Sequence, residues 1–284
     1  MDTERQHSKP PSGELGELLR YWRNVRGKSQ LDLSLDTGGS QRHLSFIENG
    51  RSVPSRQILT EIAQALDIPL RDRNTMLLAA GYAPIYSEGA WNAAEMKSIT
   101  NALEQMLHQH EPFPAVVMDR YWNVLLANES TPRFFNSFTE MAVRKNPRNI
   151  LHLMFDPERM RPFIVNWESV AKSLFERVYR ESVGRAIDEK TKELLAALRA
   201  YPDVKPDWKS PKAPGAAPAL PMIPISFMWG KKVLNYFSMI TTVGTPQTIA
   251  AQELRIECMY PLDEETAIEH AKLIKSLPAT TPHK

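Results

Sequence analysis

A single cysteine, Cys258, stands in 284 residues. That excludes an intrachain disulfide framework and a cysteine-based zinc site, and one thiol in so long a chain points to a reducing cytoplasm. Charge of one sign is missing too: 35 Lys and Arg oppose 33 Asp and Glu, a formal +2, so any attraction to nucleic acid must be local. Long apolar runs are absent. The longest, Ala115–Met118 and Val124–Ala127, are far too short to span a bilayer. The opening MDTERQHSKPPSGE has no apolar segment of the kind a secretory signal needs. The chain therefore reads as soluble and cytoplasmic, with no membrane partner. No G-x-S-x-G, P-loop or G-x-G-x-x-G occurs, and His108-Gln109-His110 lacks further ligands at a metal spacing. The residues offer no catalytic set, no metal site and no cofactor, and the chain reads as a non-enzyme.

What is present divides in two. Length gives a prior of about two domains, and residues 1–13, polar and without periodicity, read as a disordered arm. From 14 to 86 short helical segments alternate with Gly and Pro. Leu15, Leu18, Leu19, Trp22 and Val25 make one apolar face, ended by Gly27. Ser29 with Asp32 reads as a capping box for a second helix, broken at Gly38-Gly39. Ser40 caps a third running to Asn49-Gly50, Pro54-Ser55 opens a fourth, and a fifth spans about 71–80. The expectation is an all-α five-helix domain. A linker helix follows over 87–110, with Met96, Ile99, Leu103 and Met106 three and four apart.

From 111 to 270 the pattern changes. A hairpin is expected at Ala115–Met118 and Tyr121–Ala127. A long helix follows with Phe163, Trp167, Val170, Leu174 and Val178 on one side, then a shorter helix with Leu194, Leu195 and Leu198. Residues 202–224, rich in Pro and Ala, read as a loop. Strands are expected at 225–229, 233–243 and 253–260, which together make an α+β domain with an antiparallel sheet. Residues 271–284 read as a flexible tail.

The run Ser29–Gly50 carries the chemistry of the first domain. Two short helices around a tight Gly turn, the second capped by Ser40, have the geometry that major-groove reading needs. With Leu44 and Ile47 inward, Gln41 and Ser45 lie on one exposed edge and Arg42, Phe46 and Asn49 on another. Gln pairs bidentately with adenine and Arg with guanine, and an aromatic edge packs on a thymine methyl. Arg51 and Arg56 flank the helix and suit phosphates, as do its N-terminal amides. Between 23 and 56, six Lys and Arg oppose three acids. Non-binding bundles share the helix-Gly-Gly-helix pattern, so on residues alone both readings stay open.

Residues 15–70, with SQ opening the second helix and ENGRSVPS after the third, resemble the lambda-repressor-like, Cro/C1-type helix-turn-helix family. The resemblance implies Gln30 at a phosphate and buttressing Gln41. It places Gln41, Arg42 and Phe46 on base-reading positions and His43 and Asn49 on phosphates, with an Arg23–Glu48 ion pair as architecture. Gly39 departs from the Val usual there. The wider set QRHLSFIENGRSVPSR, LLAAGYAPIY, HEPFPAVVMDRYWNVLLAN and TTVGTPQTIAAQELRIECMYPLDEET is similar to the MmyB-like regulators over 14 to about 266. That likeness implies an α+β PAS-like second domain with an apolar pocket for a fatty-acid-like ligand, Asn128 matching the Asn at its second strand's end.

Phe134, Phe135, Leu151, Met154, Phe155, Phe163, Trp167, Val170, Leu174 and Val178 are the candidate lining of such a pocket, and equally the makings of a plain core. A carboxylate ligand would need a cation, for which Arg133, Arg159, Arg161 and Arg177 are candidates. The reading is a sequence-specific regulator that binds a double-stranded DNA operator as a homodimer and responds to an apolar effector. Two alternatives remain: a constitutive DNA-binding protein whose second domain only dimerises, and an enzyme with a DNA-binding head.

Overall fold

The computed structural model describes residues 13–139, 148–183, 188–209 and 222–276. The expected arm at 1–13 lies almost wholly outside them, as do residues 277–284 of the expected tail. The chain divides into two compact units: one is residues up to Gly89 plus 247–252, the other Ala90–Pro246 and the chain from Glu253 onward.

The first unit holds α1 (Glu14–Val25), α2 (Gln30–Thr37), α3 (Gln41–Glu48), α4 (Arg56–Ala65) and α5 (Leu70–Ala79). Their ends follow the sequence signals. Ser29 and Asp32 form a reciprocal capping box at α2, and Ser40 and Ser55 accept from the third amide of α3 and α4. Gly38 closes α2 at φ +64, a left-handed conformation that side chains rarely adopt. Leu19, Trp22, Leu33, Ile47, Leu59 and Ile62 are each 1% exposed and form the core. Gly16 is required for a different reason: a Cβ there would overlap the Glu48 carbonyl, so glycine lets α1 lie against the end of α3. Gly39 is exposed, and a Cβ there would meet only Thr37 Oγ1, so the missing Val leaves no packing defect in the turn.

One part of this unit comes from far along the chain. Proline opens α5 as Pro69 and supplies no side-chain cap. The Leu70 amide instead donates to Gln252 Oε1 at 2.7 Å, 182 residues away. Ile249, fully buried, donates its amide to Ser87 O at 3.1 Å.

The second unit is α+β. Strands β1 (Ala115–Met118), β2 (Val124–Ala127), β3 (Ile223–Trp229), β4 (Lys232–Thr242) and β5 (Arg255–Pro261) form one sheet in the order β2-β1-β5-β4-β3. Every pairing is antiparallel. Helices α6 (Lys97–Gln109), α7 (Ser130–Asn136), α8 (Ile150–Phe155), α9 (Trp167–Val183), α10 (Glu189–Arg199) and α12 (Glu264–Ser276) complete it, and α11 (Ile249–Glu253) interrupts the chain between β4 and β5. In β3 the buried residues alternate: Ile223, Ile225 and Phe227 turn inward.

Several boundaries differ from the sequence reading. The linker helix begins at Lys97, after a single tighter turn at Ala94–Met96. Its buried stripe is Met96, Leu103 and Leu107, while Met106 is exposed, because a spacing of seven and four keeps one face where 96, 99, 103 and 106 drift off it. Phe163 precedes α9 in a short turn, Glu253 belongs to α11 and not to the last strand, and 271–276, expected as tail, continue α12.

Asn128 ties β1 to its neighbours. Its Oδ1 accepts from Ala115 N and Thr131 N, both at 3.1 Å. Its Nδ2 donates to Phe113 O at 2.7 Å and Leu107 O at 3.3 Å. The side chain is buried, so removing it orphans several buried groups at once. Asn128→Ala should destabilise the second unit by about 2–3 kcal/mol, read from the urea midpoint at unchanged slope. A shift under a few tenths would show that these bonds are replaceable.

Candidate nucleic-acid interface and ligand cavity

Helix α3 buries Leu44 and Ile47 and, at its end, Glu48. A carboxylate inside an apolar bundle is costly unless paired. Arg23 provides the pairing, Nε to Oε1 at 2.7 Å and Nη2 to Oε2 at 3.2 Å, and Gln30 Nε2 donates to Oε2 at 2.8 Å. Arg20 Nη2 reaches the Glu48 carbonyl at 3.2 Å. Burial pushes the Glu48 carboxyl up, but these hydrogen bonds and the Arg23 and Arg20 charges outweigh it and hold the group below its ordinary value. The Arg23–Glu48 pair is thus present as the resemblance implies. Gln30 differs: its side chain is bonded to Glu48, not to Gln41.

With that anchor the first turn of α3 is presented outward. Gln41, Arg42 and Asn49 are exposed, and His43, Ser45 and Phe46 are half-buried. The Arg42 guanidinium sits 5.3 Å over the Phe46 ring, so two base-reading candidates form one surface. Asn49 Nδ2 donates to Ser45 O at 2.8 Å and closes the helix end. Arg51 is exposed. Arg56 is exposed too, with its guanidinium 5.5 Å from the Tyr82 ring.

The second unit contains a cavity of about 50 Å³ between the sheet and the helices, several times the space one water needs. Of the candidate lining residues, Phe135, Leu151, Met154, Val170 and Leu174 form its wall. The other five do not. Phe134, Phe155 and Val178 are packed in the core. Phe163 lies against Phe138, and Trp167 donates to Met154 O under the Arg161 guanidinium. None of Arg133, Arg159, Arg161 or Arg177 lines the cavity; Arg161 pairs with Asp203.

Sequence reasoning missed the opposite wall. Trp122, Ile225, Phe227, Ser238, Glu257 and Met259 stand on it, all but Trp122 from sheet strands, and Pro114, Ala115, Val116, Ile150 and Ile223 were missed as well. The alternation of β3 was a usable signal for Ile225 and Phe227. Trp122 had none: it takes φ +67 in the turn between β1 and β2, a backbone region bulky residues seldom enter.

A bundle that presents a capped reading helix, joined to a sheet domain built around a cavity, defines a DNA-binding transcription regulator with a ligand-binding domain. The chain belongs to the MmyB-like transcription regulator ligand binding domain family, whose model matches residues 99–273, and a helix-turn-helix model matches 19–72. Endothelial differentiation-related factor 1 from Homo sapiens is 27% identical over 73 residues, 26% of this chain and 49% of that protein. The Gallus gallus homolog is 26% identical over the same shares. The chain thus spans about half the length of the curated relatives it matches. A solved structure described as an RNA-binding Light-Oxygen-Voltage Receptor aligns with 93% of this chain and 62% of its own, at 10% identity and TM-score 0.25. Among the described residues no helix is long and apolar enough to cross a membrane.

The Glu48 anchor sets a pH dependence. Its carboxyl is depressed in the folded state, so the stabilisation is fully present above the ordinary value of 4.5 and is lost as pH falls through the lower folded value. The thermal midpoint of the first unit should therefore fall as pH drops below 4.5. Glu48→Ala should cost about 3 kcal/mol at neutral pH and flatten that acid limb. An acid limb unchanged in the variant would assign the dependence to other groups.

Proposed function

We propose that α3 reads a double-stranded DNA operator and that a small, largely apolar ligand in the second unit's cavity alters this reading. The observation that carries it is the outward first turn of α3, with Gln41 free to face adenine and Arg42 held over Phe46 to face guanine. Ser40, Ser45, His43, Asn49, Arg51 and Arg56 flank that turn and serve the backbone. Gln30, by holding Glu48, positions the reading helix, and its second Nε2 hydrogen is the one left for a phosphate. Two copies acting as a homodimer would read two half-sites one helical turn apart.

The ligand is fatty-acid-like in being an apolar body with one polar end, as an apolar wall with few polar groups favours. The protein acts by binding and not by turnover. The covalent chain offers the coupling: residues 247–252, grouped with the first unit, lie in the segment between β4 and β5, both of which line the cavity. An effector that binds one arrangement of these strands better than another shifts the reading head by that difference in affinity.

In vitro selection of bound DNA, with and without ligand extracted from the purified protein, tests the reading. Arg42→Ala should weaken the selected site by about 1–3 kcal/mol and relax one base position. Arg51→Ala should weaken all sequences alike and reduce the salt slope by about one. If the Arg42 variant keeps the same sequence preferences, the base-reading assignment is wrong.

A further inference from the structure

The cavity wall is apolar on the helix side and carries its polarity at the sheet. Among the described residues no Lys, Arg or His lines it; the polar side chains are Glu257, Ser238 and Trp122. Glu257 lies on β5 opposite Val116 of β1 and Ile240 of β4, so it stands mid-sheet on the face that packs the helices. It is half-buried and lines the cavity. It accepts from the Ser238 hydroxyl. Trp122 is 1% exposed, lines the same cavity, and its Nε1–H has no hydrogen-bond partner. That nitrogen has almost no accessible surface, so the polar group a ligand meets on this wall is Glu257 with its Ser238 partner.

Resting on the reading that this cavity takes an apolar ligand, we propose that the ligand is a neutral amphiphile with a hydroxyl head, and not a fatty carboxylate. A hydroxyl can donate, which suits a wall whose acceptor is the Glu257 carboxylate. A carboxylate accepts only. It would bring a second negative group beside Glu257 in a cavity with no cation on its wall, and like charges in one site disfavour each other's ionisation. Burial already pushes the Glu257 carboxyl up, with the Ser238 bond and the Arg177 charge drawing it part of the way back. A second carboxylate adds to that burden, and an alcohol relieves it. The head-group choice thus follows from the one charged residue on the wall.

The test compares octanol with octanoate, equal in chain and different in head, by calorimetric titration of the full chain at pH 8. Wild type should bind octanol at least about tenfold more tightly. Glu257→Leu should remove most of that preference. Glu257→Gln keeps shape and adds N–H donors, so it should raise octanoate affinity about fivefold while its thermal unfolding stays near wild type. Octanoate binding wild type as tightly as octanol, or an unchanged preference in both variants, overturns the hydroxyl-head assignment and leaves the apolar-ligand reading standing. Binding of neither compound to wild type removes the apolar-ligand reading itself.

Discussion

A carboxylate taken out of water must be answered by a partner, and each unit of this protein holds such a group at its candidate site. In the first, Glu48 lies where α1, α2 and α3 meet, and each of the first two helices sends a side chain to it: Arg23 from α1 and Gln30 from α2. Those bonds have direction as well as energy. They set the angle at which α3 leaves the bundle, and with it where Gln41 and Arg42 stand. Gly16 allows the close approach that brings α1 into reach. The outward face of α3 is thus held from beneath by polar geometry and not by apolar packing alone.

Glu257 is the contrasting case. Its partners are the Ser238 hydroxyl and the nearby Arg177 charge, and it lines a cavity. Burial dominates there, whereas at Glu48 the partners do. The same residue type therefore serves architecture in one unit and lines a cavity in the other. The difference lies in how many donors surround it, which no local sequence window reports.

Much of the first unit was legible because its signals are local. Capping serines precede α2, α3 and α4, Gly38 supplies a left-handed end, and the apolar spacing of α1 and α3 names the buried face directly. The second unit was legible in outline, since its hairpin and strands announce themselves by composition. Its site was half legible. Phe135, Leu151, Met154, Val170 and Leu174 were found on the helices, but Phe134, Phe155 and Val178 share their chemistry and turn into the core instead. Helical periodicity marks a buried face without saying whether that face meets atoms or empty space.

The sequence by itself determined the five helices of the first unit, the capped α3 with its exposed Gln41 and Arg42, the outline of the sheet and the family to which the chain belongs. These depend on interactions within a few residues, or on motifs that keep their order. Tertiary structure alone decided the rest. It brought Gln252 to cap α5 across 182 residues, set Glu257 opposite helix residues to close a cavity, and left the Trp122 indole N–H without an acceptor. The reason is that strand register and packing join residues whose separation along the chain carries no information about their separation in space.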